Sequence, residues 1–131
     1  MLEDVGNYLK SQNLIPTGSY LFYGAMADTI VSGGVTINAD NCTCLYETGG
    51  FEPELTFEND NTEYPGLQII CRGTSYKETR DRINAIYKAL HGCSEISGID
   101  LITAIQSPAG IGKDEKLRWE FSVNFKVTKQ M

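Results

Sequence analysis

The segment from Trp119 to Val127 constrains the fold of this chain more than any other part of the sequence. Bulky apolar residues alternate there with polar ones, in the order Trp119, Glu120, Phe121, Ser122, Val123, Asn124, Phe125, Lys126 and Val127. A period of two is that of a β-strand with one buried and one polar face. The sequence therefore predicts a sheet whose apolar face another part of the chain must cover.

A helix from Tyr76 to His91 is predicted to provide that cover. Ser75 is placed as its N-cap with Glu78 three residues later, so that each side chain can satisfy a free backbone N–H. Gly92 suits the left-handed residue that ends a helix. The charged and polar face of the helix comprises Lys77, Arg80, Asp81, Arg82, Asn84 and Lys88, and the apolar stripe comprises Tyr76, Ile83, Ile86, Tyr87 and Leu90. This stripe can pack against the sheet.

The remaining segments complete an α+β fold. Residues 2–12 have the apolar spacing of a short amphipathic helix. Strands are predicted at residues 20–23, 29–31, 35–37, 42–48, 67–72 and 99–106, with a turn at 49–50, an exposed acidic loop at 51–64 and a hairpin-like loop at 107–116. We expect a mainly antiparallel sheet with helices packed on one face. Because 131 residues fit one domain, residues 1–131 are expected to form a single domain.

Charge is unevenly distributed along the chain. Residues 11–71 contain eight Asp and Glu and no Lys or Arg, a balance of −8, whereas residues 72–131 contain ten basic and seven acidic residues, a balance of +3. The acidic stretch is either a solvated loop, or a surface that meets a positive patch on a partner or keeps DNA from binding. An acidic chain without a continuous basic stripe is not expected to grip nucleic acid.

The sequence contains no arrangement typical of catalysis. The single histidine, His91, lies in the last turn of the predicted helix, where its simplest role is a favourable charge near the helix C-terminus. Residues 110–113 suggest a phosphate loop, but Ser107 and Asp114 stand where the Walker pattern needs Gly and Ser or Thr. We expect no catalytic residue, no cofactor and no small-molecule substrate.

The cysteines are expected to be free and mostly buried, since nothing in the sequence points to an oxidising compartment. Cys42 and Cys44 could share a metal ion, but structural zinc sites space such a pair by about two to four residues and supply a second pair. Ordinary strand residues are therefore favoured. With no apolar stretch near the roughly 20 residues of a membrane helix and an acidic start at residues 1–4, a soluble protein that is not secreted is expected.

A series of short segments follows from residue 22 to residue 127. It comprises Phe22–Met26, Leu45–Gly50, Pro65–Gly73, Ile86–Leu90, Ser107–Pro108, Gly112–Asp114 and Arg118–Phe125. In their order and spacing, these segments resemble the minor capsid and tail terminator proteins of long-tailed phages and prophages. The resemblance implies a structural protein that caps the finished tail tube as a ring, usually a hexamer. Such a protein ends tube polymerisation and offers a docking surface to the head connector.

The same resemblance implies the partners and the location. The partners are further copies of the chain, the tail tube protein and the head connector, while DNA passes through the lumen of the ring without specific binding. No membrane is involved. The protein is expected at the head-proximal end of the tail in the virion, after assembly in the host cytoplasm.

Subunits of a ring meet through two different surfaces, and the uneven charge provides two. We expect the acidic residues of the segment 47–63 either to pair with the basic helix face of a neighbour or to line the lumen. The residues assigned to subunit or partner contacts are Glu47, Glu52, Glu54, Glu58, Lys77, Arg80, Arg82, Lys88, Lys113 and Asp114. Other functions stay open: a neck or head-completion protein, a small nucleotide-binding module or enzyme, and an adaptor that adds a strand to a partner's sheet.

Overall fold

A computed structural model of the chain describes residues 1–54 and 61–131. In these residues two helices and eight strands follow one another: α1 (Leu2–Ser11), β1 (Tyr20–Tyr23), β2 (Thr29–Ser32), β3 (Val35–Asn38), β4 (Cys42–Glu54), β5 (Thr62–Gly73), α2 (Tyr76–Leu90), β6 (Leu101–Ala104), β7 (Ala109–Lys113) and β8 (Trp119–Gln130). The predicted α+β class is confirmed.

Six of these strands form one sheet in the order β1-β4-β5-β8-β6, with β7 also pairing to β8. β1 runs parallel to β4, and the other pairs in this sheet are antiparallel. β2 and β3 form a separate antiparallel hairpin. The sheet is therefore mainly antiparallel, as predicted, and β8 pairs with three other strands of it.

The core lies on one face of the sheet. Cross-strand neighbours such as Leu45, Ile69 and Val123 are fully buried there, and the predicted alternation of β8 places Phe121, Phe125 and Val127 beside them. Ile83, Ile86 and Leu90 of α2 and Val5 and Leu9 of α1 belong to the same buried cluster. Both helices therefore cover the same face, because it is the face that must leave water.

The helix ends follow the predicted local signals. The Oγ of Ser75 accepts a hydrogen bond from the backbone N–H of Glu78 at 3.3 Å, and Gly92 has a φ of +79° just after α2. In α1, Gly6 is buried against Tyr23, and a Cβ at that position would overlap the Tyr23 hydroxyl. A glycine that weakens the isolated helix thus allows α1 to approach β1 closely.

The predicted turn at Gly49 and Gly50 is wrong. β4 continues through both glycines to Glu54, with register shifts against β5 on either side of Phe51. A Cβ on Gly50 would overlap the carbonyl of Tyr64, so the glycine serves a close approach of two strands and not a reversal of the chain. The exposed-loop prediction for residues 51–64 is therefore wrong for 51–54 and 62–64, while residues 55–60 lie outside the described part.

The predicted hairpin loop at residues 107–116 is also partly wrong. Residues Ala109–Lys113 form β7, which pairs with the first residues of β8 and contains an irregularity at Gly112, where φ is +116°. The glycines suggested a loop because they lack strand propensity. Pairing with β8 outweighs that propensity.

Candidate assembly surfaces

The long strands separate the charged residues into two distant regions. At one end of the sheet Gly73 pairs with Trp119, and at the other end Thr62 pairs with both Glu54 and Gln130. β8 spans 12 residues between these ends, a length of roughly 40 Å at the usual rise of a strand. We call these regions the Trp119 end and the Glu54 end.

The Glu54 end carries an acidic arm, which we define as residues 47–54 of β4 with residues 62–65 of β5. Glu47, Glu52 and Glu54 are exposed, and in the described residues no ion pair includes them. Glu63 differs, since its carboxylate lies 3.3 Å from Lys129 Nζ. A hydrogen bond to Glu54 raises the pKa of the Tyr64 hydroxyl. Glu58 lies outside the described residues.

One lysine reinforces the arm from the neighbouring strand. Lys126 Nζ lies 5.6 Å from the ring centre of Phe51 and 5.0 Å from that of Tyr64. Phe51 is nevertheless 55% exposed. The arm therefore presents an accessible aromatic ring, a residue type enriched at protein contacts. It also presents carboxylates that belong to no ion pair of the described residues.

The exposed face of α2 is less basic than the sequence suggested. Asp81 lies on it, 3.3 Å from Lys77 Nζ and 3.9 Å from an Arg80 nitrogen, so two of the predicted cations share an anion of their own helix. Lys88, in the last turn, is exposed. This face is accordingly of mixed charge.

Arg82 corrects the predicted helix face. Its Nη2 donates to the carbonyl oxygens of Arg72 at 2.6 Å and Cys42 at 3.3 Å, and its Nη1 donates to Ser19 Oγ at 3.2 Å. These bonds tie α2 to the ends of β4 and β5 and to the segment before β1. The guanidinium therefore bonds within the subunit. A long side chain at the edge of a helix face can turn towards the sheet as well as towards solvent.

The Trp119 end carries a row of aromatic and cationic side chains. Tyr76 and Trp119 meet edge to face with ring centres 5.0 Å apart, Lys113 Nζ lies 4.5 Å from the Trp119 ring centre, and Arg80 Cζ lies 5.8 Å from that of Tyr76. Tyr76 is 47% exposed. We call Arg80, Tyr76, Trp119 and Lys113 the Trp119 row. The sequence placed Tyr76 in the core-facing stripe, but here it stands at the rim of the core.

Two buried arginines on the other face of the sheet form a cluster that the sequence did not predict. Arg118 reaches Asp28 at 2.5 Å, Asp40 at 3.4 Å and Asp114 at 2.8 Å. Arg72 donates to the carbonyl oxygens of Ala27 at 2.7 Å and Ala39 at 2.6 Å, and it also lies 3.6 Å from Asp28. Arg72 at the end of one predicted strand and Arg118 just before another were the available signal, but most of their partners are far away in sequence.

Asp114, which the sequence assigned to subunit or partner contacts, is thus bonded within its own subunit. Its carboxylate accepts hydrogen bonds from the backbone N–H groups of Lys116 and Arg118 and from Arg118 Nε. Partial burial raises the pKa of Asp114, but these hydrogen bonds outweigh burial and lower it below its usual range. The hydrogen bond from Arg118 likewise lowers the pKa of Asp28. Both carboxylates thus stay charged in neutral solution.

The arginine cluster also holds the β2–β3 hairpin. Asp28 precedes β2, while Ala39 and Asp40 follow β3. Arg72 and Arg118 therefore bind residues at both ends of the hairpin. No charged residue occurs between Thr29 and Asn38, and Val31 and Val35 are 73% and 61% exposed. The hairpin is an uncharged projection on a charged base.

Catalytic alternatives find little support in the described residues. The Nδ1 of His91 accepts a hydrogen bond from the backbone N–H of Ala104 at 3.0 Å, so the imidazole joins the end of α2 to β6. Gly110 and Lys113 lie in β7 and pair with β8, so this segment is not a phosphate loop. Among residues 1–54 and 61–131, no three His, Cys, Asp or Glu side chains lie together as metal ligands.

The cysteines lie in the interior. All of them are buried free thiols, as predicted, and burial raises the pKa of the Cys42 thiol to about 11. Cys42 Sγ contacts Met26 Sδ at 3.7 Å. Thiols that remain protonated and face a thioether act as packing residues and not as reactive groups.

An open groove of about 490 Å³ separates the segment 13–19 from α2. Glu78, Asp81 and Arg82 provide the charged groups of its wall. Because the Arg82 guanidinium is already bonded within the protein and the other two groups are anionic, this lining does not suit a phosphate. In residues 1–54 and 61–131, neither helix combines the length and apolarity that a membrane span requires.

The fold is similar to that of a chain in a solved virion structure. A chain of "Virion of native gene transfer agent (GTA) particle" superposes with a TM-score of 0.62 at 11% sequence identity, over 97% of this chain and 92% of that one. At this identity the likeness shows a shared fold. Among the curated proteins, no match is found.

One family model covers nearly the whole chain. The model described as "Bacteriophage tail terminator protein" matches residues 8–131. The chain belongs to the bacteriophage tail terminator family, which confirms the resemblance seen in its motifs. As a member of this family, it is a structural protein of the phage tail or neck and a component of the virion, where it contacts other structural proteins.

Proposed function

We propose that this protein forms a ring, a hexamer by analogy with the proteins it resembles, that caps the finished tail tube. The cap ends polymerisation of the tube and docks the head connector, at the head-proximal end of the tail, after assembly in the host cytoplasm. Membership of the tail terminator family over residues 8–131 carries this proposal. Residues 1–131 would act as one domain in each subunit.

The two unlike ends of the sheet support a ring. A closed ring needs heterologous contacts, in which one surface of a subunit meets a different surface of the next. The acidic arm contributes Glu47, Glu52 and Glu54, with Glu58 in the same segment of sequence. The facing surface contributes Lys77, Arg80 and Lys113 at the Trp119 end, with Lys88 farther along α2 in its last turn. Arg82 and Asp114 have internal partners, so we assign them to holding these surfaces in place.

The lumen of the ring is the alternative location for the acidic arm, in place of the contact between subunits. Negative charge facing the channel would repel the DNA backbone and let DNA pass without binding. If the arm lines the lumen, neutralising Glu47 and Glu52 with Gln should leave ring formation intact and slow DNA passage. If the arm lies between subunits, the same change should weaken the ring.

The capping role is tested by tail assembly with and without the protein. Tube protein that polymerises in its presence should give tubes that stop growing once capped, each with a ring at one end in negative-stain images. Without the protein the tubes should lack the ring and should not join heads. Capped tails that form without this protein would contradict the proposal.

A neck or head-completion protein is the neighbouring function, and fractionation separates the two. A terminator stays with purified tails, whereas a head-completion protein stays with DNA-filled heads. Antibody detection of the chain in separated heads and tails decides between them. Recovery with heads alone would replace the capping role by the neck role.

A further inference from the structure

We propose that Lys113, held over Trp119, is the cation that selects the neighbouring subunit, and that it receives Glu52 of the acidic arm of a second copy of this chain. Phe51 of that arm would lie against the Trp119 row. This inference rests on the proposed ring and names the residues of its contact.

Lys113 differs from the other cations near it in having no acidic partner in the described residues. At the same end of the molecule, Lys77 and Arg80 lie beside Asp81, and Lys116 lies 3.3 Å from Asp28. Lys88 belongs to the last turn of α2, away from the row. An incoming carboxylate therefore gains most from Lys113, because it need not compete with an existing ion pair.

The Trp119 row also fixes where the Lys113 charge lies. Its Nζ lies 4.5 Å from the Trp119 ring centre, and Trp119 is itself braced edge to face by Tyr76. A cation over an aromatic face is held by the ring quadrupole. Less side-chain freedom is then lost on binding, which favours Lys113 over a freely moving surface lysine.

Glu52 is the best match on the acidic arm. Glu63 is paired with Lys129, and Glu54 accepts a hydrogen bond from the Tyr64 hydroxyl. Glu47 lies opposite Leu67, farther from the Glu54 end. Glu52 follows Phe51 in β4, and the Phe51 ring is 55% exposed. Burial of this ring in the contact would add apolar area to the charge pair.

A second copy is the occupant that the charges select. Lys113 and Glu52 lie at opposite ends of a strand of roughly 40 Å, so they cannot meet within one subunit. Two acidic arms facing each other would repel, as would two Trp119 rows. The remaining arrangement is head to tail, which is the contact that builds a ring.

Charge exchange between subunits tests this pairing. Lys113→Glu alone places two carboxylates at each contact, and Glu52→Lys alone places two ammonium groups there. Each single variant should weaken subunit association at least tenfold. A 1:1 mixture of the two variants should restore it to within about threefold, because every contact in an alternating ring then pairs opposite charges.

The measurement is native mass spectrometry and sedimentation with tail-tube ends supplied, after circular dichroism has shown that each variant is folded. Lys10→Glu, an exposed change in α1, controls for net charge. Lys88→Glu tests whether Lys88, in the last turn of α2, receives the acidic arm in place of Lys113. Rings of Lys113→Glu at native strength, or a mixture no better than the single variants, would overturn the inference and leave the capping role standing. Failure of the unmodified protein to form rings or bind tube ends would overturn both.

Discussion

Arg118 shows how one side chain can join parts of the chain that are distant in sequence. Its side chain is 5% exposed and pairs with Asp114 four residues away, Asp40 78 residues away and Asp28 90 residues away. A buried cation with several carboxylate partners gains enough attraction to offset desolvation, whereas the same group with none would not. Arg118 therefore determines where the β2–β3 hairpin is fixed.

Removing Arg118 tests this role. Arg118→Met leaves three clustered carboxylates without their shared cation, so the free energy of unfolding should fall by about 3 kcal/mol. Lys116→Met removes an exposed cation from the same cluster and should change it by less than about 1 kcal/mol. Urea unfolding at neutral pH measures both. Equal effects of the two substitutions would contradict the assignment.

The same cluster predicts a pH dependence. The folded-state pKa values of Asp28 and Asp114 are lowered, so both groups contribute stability above their unfolded pKa, near 3.9. That contribution is lost as the pH falls through the folded values. Urea unfolding at a series of pH values should show stability falling below about pH 4. Asp28→Asn should lose less over the same interval, and an identical loss would rule Asp28 out as a contributor.

At the scale of elements, the acidic arm depends on a very close approach of two paired strands, β4 and β5. Gly50 lies against the Tyr64 backbone and Gly66 against Thr48, so neither position has room for a Cβ. Each approach lies near a shift in the β4–β5 register. Glycine at these positions lets the paired strands extend beyond the part of the sheet that the helices cover.

Alanine at Gly50 should therefore disrupt the arm. The added Cβ forces the two strands apart, and we expect a loss of about 2 kcal/mol in the free energy of unfolding. Gly49→Ala is the matched control, since a Cβ at Gly49 would meet no atom within 4 Å and the φ of this residue is not positive. It should change stability by about 0.5 kcal/mol or less. Equal losses in urea titrations would argue against the close approach.

At the scale of the whole molecule, the two ends of the sheet differ in charge and in composition. The acidic arm carries exposed carboxylates, whereas the Trp119 row carries cations on aromatic rings. Because its two ends differ, a subunit can bind one further copy through one end and another copy through the other end. In the proposed ring, the overall charge of −6 would oppose association except where complementary ends meet.

Salt should weaken the proposed ring. Screening shortens the reach of exposed charges from about 10 Å at 0.1 M salt to about 3 Å at 1 M. We expect the subunit association constant to fall by about tenfold across this range, measured by sedimentation. A constant that rises with salt would mean that apolar contacts, such as those of the uncharged β2–β3 hairpin, dominate the interface.

Local patterns predicted much of the fold, for reasons that particular elements make clear. The alternation in β8 and the capped, amphipathic α2 are encoded within about four residues of each position, so they could be found without tertiary information. The continuation of β4 beyond Thr48 and the existence of β7 could not. Their glycines disfavour a strand locally, and pairing with β5 and β8 decides otherwise.

The candidate surfaces divide in the same way. Sequence alone separated the acidic segment from the basic half, because charge is a property of composition. It could not show that Asp81 offsets Lys77 or that Arg82 and Asp114 turn to internal partners. Nor could it place Lys113 over Trp119, since that contact depends on the pairing of β7 with β8.

By itself, the sequence determined the α+β class, the main helix and central strand, and the presence of two unlike charged regions. Tertiary structure alone decided which charges remain exposed, because burial and hydrogen bonding depend on contacts between residues far apart in the chain. Asp28 and Arg118, 90 residues apart, make the point clearly. No local pattern connects them, yet their contact holds the β2–β3 hairpin to the sheet.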